Sequence, residues 1–164
     1  MYCRKLEKED AKILFDLIDQ IEGNLQNQKW WLPINEVSRR HFFDNEWTYF
    51  IGLFDNEKLI GAGGLFLNEH EFGESLKSCK DVVFPVAEMG RGMILPEYRG
   101  HNYSLDIIKE LIKVAKTKGI KTILVTSHPD NEAGQCPFFK VGAKKVARIV
   151  KNNDFERDIL LFTI

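Results

Sequence analysis

Two stretches hold the residues whose types and spacing suggest chemistry. Leu95-Pro96-Glu97-Tyr98-Arg99-Gly100-His101-Asn102-Tyr103-Ser104 leads into the strongest helical pattern of the chain. A helix N-terminus offers free backbone N–H groups and a partial positive charge, which together make an anion site. Arg99 adds a full charge, His101 could touch a phosphate, and Gly100 lets the backbone approach a ligand closely. The same residues also fit an ordinary capped turn, with Asn102 or Ser104 as the cap. The second stretch is Val82–Leu95, an apolar run interrupted by Glu88 and Arg91. Strand alternation puts Glu88, Gly90, Gly92 and Ile94 on one face, so the two glycines leave open space beside a carboxylate. A pairing of Glu88 with Arg91 or a surface lysine is the other reading.

Other reactive residues form weaker patterns. His128 follows a strand end and could deprotonate a substrate through water, whereas His41 and His70 read as surface residues. Cys136 has no apparent partner base and reads as a free thiol rather than a nucleophile. The histidines and cysteines show no metal-ligand spacing, so no metal is expected. Gly61-Ala62-Gly63-Gly64 starts like a dinucleotide fingerprint but lies inside a hairpin strand, with Phe66 where the last glycine should be. Lys140, Lys144, Lys145, Arg148 and Lys151 read as a solvated basic face or as a grip on a ribose phosphate. Trp30 and Trp31 are either core or the wall of a pocket.

The elements that must position these residues are legible from periodicity. Tyr2–Leu6 suggests an edge strand, Glu9–Ile21 a helix ended by Gly23-Asn24, and Asn35–Phe43 a short helix. Trp47–Phe54 and Lys58–Leu67 read as a hairpin around Asp55-Asn56-Glu57, and Asn68–Lys80 as a polar mobile loop. Val82–Leu95 is a strand stopped by Pro96. The helix Tyr103–Lys118 carries Leu105, Ile108, Leu111, Ile112 and Ala115 on one stripe and closes at Gly119. Ile120–Thr126 is a buried-type strand, Asn131–Val141 a short helix, and Lys145–Val150 with Arg157–Thr163 a last hairpin. The strand–helix–strand unit over 82–126 implies a parallel pair joined by a right-handed crossover. The fold class is α/β with a mixed, mostly antiparallel sheet around that central parallel β-α-β unit, flanked by helices.

With 164 residues, no repeat and no linker, the chain reads as one domain over residues 1–164. Its 23 basic and 24 acidic side chains give a net charge of −1, which argues against nucleic acid or an anionic membrane as main partner. No run approaches the roughly 18 apolar residues of a membrane span, and the first residues lack the apolar core of a signal peptide. Cys3, Cys79 and Cys136 are odd in number and far apart, so a cytoplasmic, reducing location is expected. A homodimer is compatible with the sequence and not demanded by it.

Pro96-Glu97-Tyr98-Arg99-Gly100 before the long helix resembles motif A of the GNAT N-acetyltransferases, Gln/Arg-x-x-Gly-x-Gly/Ala, with Asn102 and Ser104 in the two later small-residue positions. Asn131, Gly134, Phe138, Gly142 and Ala143 keep the spacing of a second family motif, Asn-x-x-Ala-x-x-x-Tyr-x-x-x-Gly-Phe. Val86-Ala87-Glu88-Met89 resembles the Phe-Ala-Glu-Ile of histone-acetylating members. The resemblance implies acetyl-CoA as co-substrate. Pantetheine would pair with backbone near Met93, Ile94 and Leu95. The pyrophosphate would lie on Arg99, Gly100, His101, Asn102, Tyr103 and Ser104, and Asn131 would touch the pantetheine arm. Glu88 would be the base, and Phe138 stands where many members carry the tyrosine that protonates the thiolate. The implied activity is direct transfer of acetyl from acetyl-CoA to a primary amine of a small molecule or peptide, with a small amine-bearing acceptor as the expected partner. Trp30, Trp31, Asp154 and Glu156 are expected to rim the acceptor side, which suits a small cationic amine. The departures at Asn102, Ser104 and Phe138 sustain an alternative, a weak or inactive acyl-CoA-binding sensor of the same fold.

Overall fold

A computed structural model describes residues 1–43 and 46–164. Seven strands form one sheet in the order β1-β2-β3-β4-β5-β7-β6. They are β1 (Tyr2–Lys5), β2 (Thr48–Asp55), β3 (Lys58–Phe66), β4 (Val86–Ile94), β5 (Thr122–Ser127), β6 (Lys144–Lys151) and β7 (Phe155–Thr163). Every neighbouring pair is antiparallel except β4 and β5. The helices are α1 (Ala11–Gly23), α2 (Glu36–His41), α3 (Glu69–Leu76), α4 (Tyr103–Thr117) and α5 (Glu132–Lys140). The mixed sheet and its one parallel pair are as the sequence implied.

Residues 59–66 of β3 are all buried, which a strand achieves only with cover on both faces. Helices α1 and α4 both pack on it. They contribute Leu14, Leu17, Ile18 and Ile21 from α1 and Ile107, Ile108, Leu111 and Ala115 from α4. The glycines at 61 and 63 set how close α4 comes. A Cβ at Gly63 would stand 2.9 Å from Ile107 Cγ2, and one at Gly61 would stand 2.9 Å from the Met93 carbonyl oxygen and meet Ile94 Cδ1. The glycine-rich run is therefore a packing surface that seats α4 and β4.

The polar stretch 68–80, expected to be a mobile loop, instead contains α3. Asn68 accepts a hydrogen bond from the His70 N–H at 3.1 Å and starts the helix. Phe72 and Leu76, one turn apart, bury their side chains with Val86, Leu124 and Ile159. Two well-spaced apolar residues were enough to dock a segment whose composition is otherwise that of a loop. The strand expected over 82–95 starts only at Val86. Pro85 has no N–H to give a ladder, and its carbonyl accepts from Lys121 and Thr122 instead.

A Gly61→Ala substitution should lower the unfolding free energy by about 1–3 kcal/mol, the usual cost of overpacking. Urea denaturation measures it. An unchanged midpoint would mean that β3 and β4 separate without cost.

Candidate active site

Strands β4 and β5 pair only through Val86–Met89 and Thr122–Val125. Beyond Met89, β4 runs on to Ile94 with β3 alone as its partner. Its register with β3 shifts between Ala62 and Gly64, because two residues of β4, Arg91 and Gly92, stand opposite Gly63. Arg91 holds a positive φ of 54°. An added residue in one strand is a β-bulge, and it reverses the alternation beyond it. The expectation that Glu88, Gly90 and Gly92 share one face fails here for that reason. Arg91, not Gly92, joins Glu88 and Gly90 at the cavity wall.

That cavity has a volume of about 380 Å³. Trp30, Trp31 and Leu32 close one side, Glu88, Gly90 and Arg91 form the β4 wall, and Thr126, Lys151 and Arg157 come from β5, β6 and β7. Arg91 ties two of these walls together. It donates to the Leu32 carbonyl and stands 5.4 Å from the Trp31 ring centroid. Trp31 Nε1 in turn donates to Glu22 at 2.8 Å. Glu88 accepts a hydrogen bond from Thr126 Oγ1 at 3.3 Å. Burial raises the Glu88 carboxyl above the ordinary glutamate range, against the opposing pull of Lys151, the Thr126 hydrogen bond and Arg91.

Residues that the sequence grouped differently also meet here. Arg157 lines the cavity although no motif pointed to it, Lys151 of the basic run lines it too, and His41, exposed as the sequence suggested, stands at its rim. The available signal was the adjacent pair Arg157-Asp158 directly before the apolar run Ile159–Phe162 of the same strand. Both are buried, at 2% and 1% exposure. Asp158 is satisfied by Arg148 at 2.7 Å and Lys145 at 3.4 Å. The basic run therefore divides. Lys145 and Arg148 neutralise Asp158, Lys151 faces the cavity, and Lys140 Nζ donates to Asn102 Oδ1 at 2.7 Å. Asp154 does not rim the cavity but pairs with Lys29 at 2.8 Å, and Glu156 is absent from its wall. With Arg91, Lys151 and Arg157 facing Glu71 and Glu88, the wall carries more positive than negative charge, and a purely cationic acceptor loses its electrostatic rationale.

On the other side of β4, a short 3₁₀ turn (Pro96–Tyr98) leads to Arg99, whose Nε donates to the Ile94 carbonyl at 3.1 Å. Gly100 has φ +86° and open space where a Cβ would stand. Asn102 adopts left-handed geometry at φ 62°, ψ 16°, a conformation Asn tolerates better than most residues. Helix α4 starts at Tyr103, and the His101 and Tyr103 rings lie 5.4 Å apart. The turn thus presents glycine-like backbone at 100 and 102 ahead of a long helix, with Lys140 beside it.

Asn131 caps α5 by accepting from the Gly134 N–H at 3.0 Å, and a Cβ at Gly134 would come within 2.6 Å of Asn131 Nδ2. Phe138, partly buried, packs towards Phe162 at 6.4 Å between ring centroids. His128 is buried, and its Nδ1 accepts from the Asp130 N–H at 3.1 Å. With that nitrogen accepting, the neutral ring carries its proton on Nε2 and has no free lone pair for a substrate. It does not line the cavity. Among the described residues no group of three His, Cys, Asp or Glu side chains could hold a metal ion, and no helix is long and apolar enough to cross a membrane.

A parallel strand pair that parts beside a half-buried carboxylate, with a left-handed turn feeding the intervening helix, is the arrangement that the resemblance to the N-acetyltransferases implied. Residues 13–143 match the model of the acetyltransferase (GNAT) family, and the chain belongs to that family. No curated protein matches it in sequence. Among solved structures, an N-acetyltransferase from Staphylococcus aureus Mu50 is similar at 16% identity and TM-score 0.72, over 99% of this chain and 96% of that one. A ribosomal-protein-alanine N-acetyltransferase from Brucella melitensis is similar at 12% identity and TM-score 0.71, over 100% of both chains. A chain of the NatC complex bound to Gag peptide and CoA is similar at 16% identity and TM-score 0.71, over 100% of this chain and 99% of that one.

The raised Glu88 carboxyl has a consequence for stability. The fold favours its protonated form, so its stabilising contribution is complete below the unfolded value of about 4.3 and is lost as pH rises through the higher folded value. Gln mimics the neutral form. The thermal midpoint of Glu88→Gln should therefore rise relative to wild type as pH climbs above the unfolded value and through the higher folded one. A difference that does not change with pH would contradict the raised carboxyl.

Proposed function

We propose that the protein transfers acetyl from acetyl-CoA directly to a primary amine of a small molecule, with Glu88 as general base. The observation that carries this reading is the position of Glu88. It is a half-buried carboxylate in a water-accessible cavity, on the strand that continues into the Arg99–Ser104 turn. A primary amine has a pKa of about 10.4, so near neutrality it is mostly protonated and cannot attack. A carboxylate raised towards neutral pH by burial is a better-matched proton acceptor than a solvated one. The amine nitrogen then attacks the thioester carbonyl, the C–N bond forms, the C–S bond breaks and CoA leaves as its thiolate.

The residues present suit acyl-CoA. The open space at Gly100, the left-handed Asn102 and the free N-terminus of α4 would take the pyrophosphate, with Arg99, His101, Tyr103, Ser104 and Lys140 around it. Backbone of Met93, Ile94 and Leu95, past the point where β5 leaves β4, would pair with the pantetheine arm, and N–H groups near Ile94 would polarise the thioester. Asn131 and Phe138 would flank that arm from α5. Phe138 has no proton to give, so the thiolate, with a pKa of about 8.5 for an ordinary thiol, is protonated by water.

A thiol-release assay over amines tests the reading. Glu88→Gln should keep acetyl-CoA affinity and lose about 10²–10⁴ in rate near pH 7, with the loss shrinking at high pH as free amine accumulates. Wild-type rates at pH 7 would remove Glu88 from the mechanism. Gly100→Asp should weaken acetyl-CoA binding by more than about tenfold in calorimetry, because it places a carboxylate in the open space before α4. Unchanged affinity in the folded variant would move the site elsewhere.

A further inference from the structure

We infer that the acceptor carries a carboxylate beside its primary amine, an amino-acid-like molecule whose anionic end is held at Arg157. This rests on the N-acetyltransferase reading above and names the substrate class of the same cavity. Two polar atoms of residues in its wall are buried without a hydrogen-bond partner: Trp30 Nε1 and Arg157 Nη2. Both are donors. Buried donors are rarely left unpaired, since each costs the desolvation of the group. What the cavity lacks is therefore an acceptor.

The charges agree. Arg157 is 2% exposed, its Nη1 donates to the neighbouring Glu156 carbonyl, its guanidinium carbon stands 5.5 Å from the Phe155 ring centroid, and among the described residues no carboxylate lies within ion-pair distance of it. Its strand neighbour Asp158 is taken by Arg148 and Lys145. Among the described residues Arg91 too has no ion pair and is held to the Leu32 carbonyl and the Trp31 ring, and Lys151 adds a third cation to the wall. A guanidinium is planar and is matched by a planar carboxylate. The two acids of the wall, Glu71 and Glu88, do not cancel three cations, and Glu88 is committed to the amine. A volume of about 380 Å³ suits a small molecule.

In this scheme the ammonium end of the acceptor lies towards Glu88 and loses a proton to it. The freed lone pair forms the C–N bond to the acetyl carbon, and the C–S bond electrons leave with CoA sulfur, which takes a proton from water. The nitrogen sheds a second proton to water as the amide forms and Glu88 returns its proton to solvent, so one amino carboxylate and one acetyl-CoA give one N-acetylamino carboxylate, one CoA thiol and one proton.

The test is thiol release from acetyl-CoA with three matched sets: free amino acids, their carboxamides, and linear diamines and polyamines. The carboxamide amine is the less basic and is more abundant as free base near neutrality, so a preference for the acid is not intrinsic reactivity. We expect kcat/KM for the best acid to exceed that of its carboxamide and of every polyamine by at least about tenfold, a difference of 1.4 kcal/mol. In Arg157→Gln that preference should fall to within about threefold while the KM for acetyl-CoA stays unchanged. Trp30→Phe, which removes one donor and keeps the ring, should weaken the acids alone if Arg157→Gln does not fold. Carboxamides or polyamines as good as the acids, or a preference that survives both substitutions, would overturn the inference. If no amine releases thiol, the transfer reading fails and binding decides this one. Calorimetry should then show N-acetylamino acids, and not their carboxamides, binding to wild type and losing affinity in Trp30→Phe; any other pattern overturns it.

Discussion

Parallel pairing between β4 and β5 lasts for the residues Val86–Met89 and then stops, while β4 continues on β3 to Ile94. Much of the site depends on that parting. Parallel strands joined through a helix must be brought back by the crossover, and α4 does so while packed on β3, β2 and β4. Glycines at 61 and 63 let α4 and β4 come close to β3, and the bulge at Arg91 and Gly92 changes the direction of β4 where β5 ends its support. The result is a strand whose first half is core and whose second half has a free edge, followed at once by a turn and a helix N-terminus.

The bulge also links the two halves of the site. It turns Arg91 inward, where a carbonyl at Leu32 and the ring of Trp31 receive its guanidinium. The segment between α1 and α2 is thereby fastened to β4, and the wall opposite Glu88 becomes part of the same rigid body as Glu88 itself. The proposed mechanism depends on this tension. Burial pushes the Glu88 carboxyl up, whereas Lys151 and Arg91 hold it down, and burial prevails. A carboxylate set between those influences suits a base that must both take and release a proton.

Several of these features were legible in the chain. The helical spacing of α4, the close of β4 before Pro96 and the left-handed tolerance of Asn102 are local properties of residues and were legible, although the buried face of α4 takes Ile107 and leaves Leu105 and Ile112 half-buried. What it missed depends on partners distant in sequence. Helix α3 exists because Phe72 and Leu76 find Val86, Leu124 and Ile159, which no window over 68–80 contains. Gly92 left the cavity face because one extra residue opposes Gly63 on another strand. The basic run looked continuous in sequence, yet Asp158 across the β6–β7 ladder captured its middle and left Lys140 and Lys151 on different sides of the molecule's chemistry. Arg157 was passed over because a charged residue in a hairpin strand ordinarily faces water, and only its place beside Asp158 hinted otherwise.

In the proposed mechanism acyl-CoA lies where β4 and β5 part and over the start of α4. Backbone NMR of the ¹⁵N-labelled protein titrated with acetyl-CoA tests this without depending on any acceptor. The largest amide shifts should fall at residues 90–95 and 99–104, with smaller ones at residues 131–138. Shifts confined to the cleft between Tyr2, Cys3 and the Asp106–Lys113 face of α4, or no shifts at saturating acetyl-CoA, would contradict it.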